Sequence, residues 1–211
     1  MKINIRMAMC SAMFTALIAV GAYIKIPGPF VPATLQMQFA YLAGALLGKA
    51  YGAAAVGAYI LAGLAGAPVF AGGGGIGYVM RPTFGYIIGF LAGAYITGAI
   101  RARKLSFANM LAAGIAHFAA VYSIGLAYYY FIAKFIMASP IGIGTLFLYC
   151  FALTAPVDAV LCAVCAYISV RLAKILRRGG FSGLFADDEI NRDKASGKKE
   201  PRGQQHAHID A

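Results

Sequence analysis

Apolar residues in this chain come in long, nearly unbroken runs, with neither the every-third-or-fourth spacing of a half-buried helix nor the alternation of a strand. Six runs are evident: roughly Met7 to Ile24, Thr34 to Gly48, Tyr51 to Gly66, Thr83 to Ile100, Phe107 to Ala133 and Thr145 to Ala173. Each approaches or exceeds the ~20 residues a helix needs to cross a ~30 Å hydrocarbon core, the second and third being short. Six membrane-spanning helices are therefore expected, an all-α bundle occupying residues 1–178. Beyond about Gly179 the pattern stops. Asp187, Asp188, Glu189, Lys198 and Lys199 stand among almost no apolar residues, so residues 179–211 are expected to be a disordered polar tail.

Small residues recur within the runs. Ala40, Gly44 and Gly48 fall every four residues on the second, Ala58, Ala62 and Gly66 on the third, and Gly85, Gly89 and Gly93 on the fourth. Such stripes let helix backbones approach closely in lipid, where dispersion drives association, so each predicts a packed interface. The first run carries Ala8, Ala12 and Ala16 in the same spacing. That face can meet either a neighbouring helix or another protein.

Composition agrees with the pattern. Of 211 residues, 61% are hydrophobic, 12% are charged and 26 are glycine, the balance of an integral membrane protein. A net charge of +11 raises the question of nucleic acid, but the cations flank apolar runs, where they govern topology and meet anionic lipid headgroups. Lys2, Arg6, Lys49, Arg101, Arg103, Lys104, Lys174, Arg177 and Arg178 fall on one side, against Lys25, Arg81 and Lys134 on the other. By the positive-inside rule both termini are cytoplasmic. A cleaved secretory signal is disfavoured, since Met7 to Val20 is followed by no clear A-x-A site and by five further runs.

Catalytic and nucleotide signatures fail their context tests. His117 is alone among Ala and Phe, the setting of a packing residue. Cys162 and Cys165 form a C-x-x-C on an apolar helix with no second pair, and Cys10 and Cys150 also lie in apolar runs. Gly72, Gly74 and Gly77 match G-x-G-x-x-G without a preceding strand and with Pro82 following, and Gly48-Lys49 lacks the earlier glycine of a phosphate loop. Energy from ATP would have to come from a partner. No protein cofactor or metal is indicated.

Polar residues inside the spans carry the functional signal. Asp158, the one carboxylate in any run, lies 13 residues before Arg171, roughly 20 Å along a helix axis. It is expected in the outer half of the bilayer, facing the bundle interior with a partner, either in a ligand site or as a structural ion pair with Arg81 or Lys25. Pro156 is expected either to kink the helix or to start its regular part. Gln36 and Gln38 enter the second run behind the stiff segment Lys25-Ile-Pro-Gly-Pro-Phe-Val-Pro, and the Gly-rich stretch Pro68 to Pro82 lies on the same side. Together these predict an outward cavity with one anion, one or two cations and amides, walled by Tyr23, Tyr78, Phe84 and Tyr86. Its chemistry suits a small, partly apolar anionic solute.

The stretches FVPATLQMQFAYLAGALLGKAYGA and GLAGAPVFAGGGGIGYVMRPTFGYIIGF, with APVD in the last run, resemble the BioY family, the biotin-specific substrate-binding (S) components of energy-coupling factor (ECF) transporters. The resemblance covers Met7 to about Leu176. It implies a six-helix protein of the bacterial plasma membrane that captures biotin and works with a shared transmembrane subunit and two cytosolic ATPases. It also implies that Gln36, Arg81, Thr83, Tyr86 and Asp158 bind substrate, and that Ala8, Ala12 and Ala16 dock the shared subunit. The family's last span commonly reads P-G-D-x-x-K, with acid and lysine lining the biotin site, whereas here Asp158 is followed by Ala159, Val160 and Leu161. Arg81 then becomes the candidate cation for the biotin carboxylate, with Lys25 next. Two other readings stand beside biotin uptake: the same architecture for another small carboxylate vitamin, and a proton-coupled carrier with Asp158 as its relay.

Overall fold

A computed structural model describes residues 5–26, 33–102, 105–137, 144, 148 and 154–178; the expected tail, Cys150, the three prolines of the first outward segment and the start of the sixth run lie outside these. Five helices account for most of the described chain: α1 (Ile5–Tyr23), α2 (Gln36–Leu64), α3 (Phe84–Arg101), α4 (Phe107–Phe135) and α5 (Ala155–Arg178). All five are long and apolar enough to cross a membrane. A two-residue antiparallel ribbon joins β1 (Lys25–Ile26) to β2 (Ala33–Thr34), and a single 3-10 turn spans Ile76–Met80.

Among the described residues six runs give five helices, since the second and third runs share α2. That helix is not straight. At Gly48 the backbone takes φ 82° and ψ 179°, a left-handed conformation that glycine adopts without a Cβ penalty. The chain then doubles back: a Cβ on Gly52 would stand 2.7 Å from the Gly44 Cα, although eight residues of straight helix span about 12 Å. Gly48 thus divides α2 into two arms. The first, Gln36 to Leu47, is only about 18 Å long, and its start is recessed, with Gln36 and Gln38 both buried. Arg101 is buried beside the break, its Nη1 3.2 Å from where a Gly48 Cβ would be.

Small residues set the packing. On α3, Gly85 lies against Tyr128, Gly89 against the Val121 backbone and Gly93 against the His117 ring, so the predicted stripe is the seam with α4; Gly125 of α4 in turn receives the Tyr86 ring. Gly44 abuts Ala94 and Thr97 of α3. The third stripe is out of phase. Ala58 and Gly66 are exposed and Ala62 half-buried, while Gly52, Ala55, Val56, Tyr59 and Gly63 form the buried face of the second arm. Rotation of that arm is set by Gly48 and by α1, whose Ser11 Oγ donates to the Tyr51 carbonyl at 3.1 Å and whose Thr15 Oγ1 donates to that of Ala55 at 2.9 Å.

The same bonds orient α1. Met7, Ser11, Phe14 and Ile18 face inward, so Ala8, Ala12 and Ala16 are exposed beside Met9 and Met13. The alternative in which these alanines pack inside the bundle is not realised. Between α3 and α4 the turn is closed by Ser106, whose side chain accepts from the Asn109 N–H at 3.3 Å, and by Asn109 Nδ2, which donates to the Ile100 carbonyl at 2.9 Å. Met7, Leu46, Leu47 and Ala173 cluster at this end, with Leu105 and Leu176 packed on them.

Close approach at Gly44 and open space at Ala58 make opposite predictions. Gly44→Val is expected to lower stability by about 2 kcal/mol or more through overpacking against α3, and Ala58→Val to change it by less than about 0.5 kcal/mol. Thermal unfolding of the purified protein in detergent measures both.

Candidate functional site

Residues 65–83 form a compact loop over the end of α2. Phe70 and Gly73 exchange backbone hydrogen bonds at 2.9 and 3.1 Å around Ala71 and Gly72, and the Gly75 N–H bonds the Gly63 carbonyl at 2.7 Å. Gly73 and Gly75 take φ of 117° and 96°, which suits a glycine run. Phe70 is buried against Gly63 and packs edge-on to Tyr59 and Phe84. Helix side chains hold the loop by its carbonyls: Tyr59 Oη donates to Val69 (3.2 Å), Tyr128 Oη to Val79 (2.6 Å), Lys25 Nζ to Ala71 (3.5 Å) and Tyr23 Oη to Pro68.

Beneath this loop is a cavity of about 230 Å³. Its wall includes all five predicted residues: Gln36 from α2, Arg81 from the loop, Thr83 and Tyr86 from the start of α3, and Asp158 from α5. The wall carries one group of each sign, in different settings. Asp158 is 6% exposed, whereas Arg81 is exposed with its guanidinium 5.2 Å from the Tyr78 ring centroid. Apolar walls come from Met37, Ile87, Phe90 and Val121.

Of the two roles open to Asp158, the ion pair is not realised. Neither Arg81 nor Lys25 bonds it. Gln38 Nε2 donates to its Oδ1 at 3.2 Å and the Tyr122 hydroxyl to its Oδ2 at 2.6 Å, with the Thr154 hydroxyl 2.8 Å from that of Tyr122. A buried carboxylate is thus satisfied by neutral donors. Gln36 and Gln38, two residues apart on one helix, face opposite ways. Gln36 Nε2 donates to Tyr59, and its Oε1 accepts from Thr34 Oγ1 at 3.1 Å, so its amide is committed to protein on both sides.

The chain matches the BioY family across residues 1–178. It belongs to the BioY family. Among similar proteins is the probable biotin transporter BioY of Lysinibacillus sphaericus, 40% identical over 168 residues that cover 79% of this chain and 86% of that one. The biotin transporter BioY of Thermotoga maritima is 46% identical over 117 residues, covering 55% of this chain and 69% of its own. In structure the chain resembles the S-component for biotin from an ECF-type ABC transporter, with a TM-score of 0.63, 26% identity and coverage of 82% of this chain and 95% of that one.

Within this BioY-family bundle several sequence expectations need correction. Lys25 holds the loop by Ala71 and is absent from the cavity wall, as is Leu161, which is half-buried on α5. Tyr23 points to Pro68 from an exposed position, and Phe84 packs behind Tyr78, so of the four expected aromatic walls only Tyr78 and Tyr86 face the cavity. His117, in contrast, is buried as expected of a packing residue, edge-on to Tyr41 with Nδ1 3.3 Å from Thr97 Oγ1. Cys162 places its Sγ 3.7 Å from Gln38 Oε1, and Cys165 lies in the core beside Tyr41.

Tyr122 and Thr154 line the cavity and escaped sequence reading. The available signal was weak: Tyr122 falls on the buried stripe of α4 with Gly114, His117, Val121 and Gly125, but several other tyrosines crowd the same helix. Since Tyr59 joins Gln36 to the loop, Tyr59→Phe leaves a buried amide short of its acceptor and frees Val69. It is expected to destabilise the protein by about 1 to 3 kcal/mol and to speed amide hydrogen exchange in residues 67–80 more than in α4.

Proposed function

We propose that this chain is the biotin-capturing S subunit of an ATP-driven ECF-type vitamin importer. The observation that carries the reading is a cavity whose wall holds both a buried carboxylate and an exposed guanidinium, in a chain whose relatives are named biotin transporters. Biotin has matching ends: a bicyclic head with ureido N–H donors and a valerate carboxylate. Its head goes to Asp158 among Tyr86, Phe90 and Tyr122, and its carboxylate goes to Arg81. Thr83 and the loop backbone at Gly72 close the wall between.

Doubling of α2 at Gly48 supports six crossings, and Lys49 and Arg101 beside that break support cytoplasmic termini under the positive-inside rule. The cavity then opens outward, above the recessed first arm. Transport against a gradient requires a partner that hydrolyses ATP, and the exposed Ala8, Ala12 and Ala16 supply a flat face for a shared transmembrane subunit. The other face of the bundle meets membrane lipid.

Equilibrium binding of labelled biotin to the purified chain tests the assignment, and failure to bind, with another small carboxylate vitamin binding instead, would move it to that ligand. Arg81→Ala should weaken biotin by about 1.5 kcal/mol, the lower range for a charged hydrogen bond because the guanidinium is exposed. Biotin methyl ester should bind the wild type poorly and lose little further in the variant. These four affinities form a cycle whose coupling isolates the carboxylate contact; a coupling near zero would return Arg81 to a structural role.

A second expectation concerns docking. Ala12→Trp should leave biotin binding unchanged while abolishing assembly with the shared subunit and ATPases, measured by co-purification and by ATP-dependent accumulation in reconstituted vesicles. Accumulation that persists in the pure chain and stops when the proton gradient collapses would instead establish the carrier with Asp158 as relay.

A further inference from the structure

Asp158 lies where two hydrogen-bonded chains end. On one side the Tyr122 hydroxyl has a single proton and gives it to Asp158 Oδ2 at 2.6 Å; the Thr154 hydroxyl, 2.8 Å away, is left to donate to Tyr122. On the other, only the amide NH₂ of Gln38 can face a carboxylate, so Nε2 is directed at Oδ1 (3.2 Å) and Oε1 is turned to Cys162 Sγ (3.7 Å). Both chains thus end in a donor to Asp158. Its carboxylate is held from two directions, one donor per oxygen, and each oxygen keeps an acceptor lone pair. Asp158 and Tyr122 are in the cavity wall, while Gln38 is buried behind it.

We propose that Tyr122 and Gln38 are positioning residues that, through Asp158, make the inner end of the cavity an acceptor and select ligands offering N–H donors there. The inference rests on the biotin reading and deepens it: the ureido N–H groups, and not the shape of the bicyclic head alone, are the feature recognised. A ligand of the same shape that presents oxygen in place of N–H sets lone pair against lone pair. Such mismatches discriminate strongly because a buried group is left without its bond. Gln38 never touches the ligand. Its effect passes entirely through the orientation of Asp158.

The probe is the cyclic carbonate isostere of biotin, in which both ureido N–H groups are replaced by oxygen and the valerate is kept. Binding of biotin and of the carbonate is measured on full-length protein in detergent for the wild type, Tyr122→Phe and Gln38→Met. Wild type is expected to prefer biotin by roughly 100-fold or more, and each variant to reduce that ratio to about tenfold or less, chiefly by weakening biotin. Loosening of the fold would weaken both ligands together and leave the ratio unchanged. A wild-type ratio within about threefold of unity, or variants that keep the wild-type ratio, would overturn the proposal while leaving biotin binding intact; absence of biotin binding by the wild type would overturn the biotin reading along with it. Thr154→Val, one bond further out, is expected to give an intermediate ratio and replaces either variant if that one is not recovered as a monodisperse protein.

Discussion

A carboxylate inside an apolar helical bundle is the constraint from which the rest of this structure can be followed. Asp158 cannot remain unsolvated and unbonded in a membrane interior without a penalty of several kcal/mol. Among the described residues no cation bonds it, and the bundle supplies neutral donors from two other helices: Gln38 from the first arm of α2 and Tyr122 from α4. For Gln38 to arrive at that depth, the first arm must begin below the end of the bundle. The break at Gly48 permits this, because it lets a short arm and a longer one share a single pass of sequence.

Backbone proximity does the remaining structural work. Without a hydrophobic force between helices in lipid, contact area and close approach decide which helices associate. Gly85, Gly89 and Gly93 put α3 against α4, and Gly44 puts the first arm against α3. These seams bring Tyr86 of α3 and Tyr122 of α4 to an edge-on pair, ring centroids 5.9 Å apart at 89°, which forms one wall of the cavity. The loop over the cavity is anchored by Tyr59 and Tyr128 from two different helices. Capture and stability thus draw on the same contacts.

In the proposed binding mode an exposed guanidinium and a buried carboxylate give the ligand a preferred direction of entry: its charge is met where solvent can still screen it, and its neutral polar head is met last, where an unmatched group is most unfavourable. In the proposed role this ordering suits high-affinity capture of a scarce anionic vitamin. The energetic step is left to partners, which fits a first helix whose small-residue face is turned away from its own bundle.

Hydrophobic runs, flanking cations and a single intramembrane carboxylate were sufficient to read a helical membrane protein with an Asp158-centred cavity, because span length and the cost of buried charge are properties of the sequence itself. Gln36 and Asp158 could be expected in a cavity wall for a related reason, since polar residues at the end of an apolar run have few other places to be; the substrate-binding set that includes Thr83 came with the family resemblance. What the sequence could not supply was rotation and partnership. Whether Ala58 or Gly63 faces inward depends on the twist introduced at Gly48 and on bonds from Ser11 and Thr15, all contacts across forty or more residues or a backbone reversal. Likewise, Gln36 and Gln38 look equivalent in the sequence; their opposite duties, one tied to Tyr59 and the other to Asp158, follow from which neighbours the folded bundle places on each side of one helix. Only the tertiary structure could choose Tyr122 over the other tyrosines of α4, since its role exists only where a residue 36 positions away arrives within 2.6 Å.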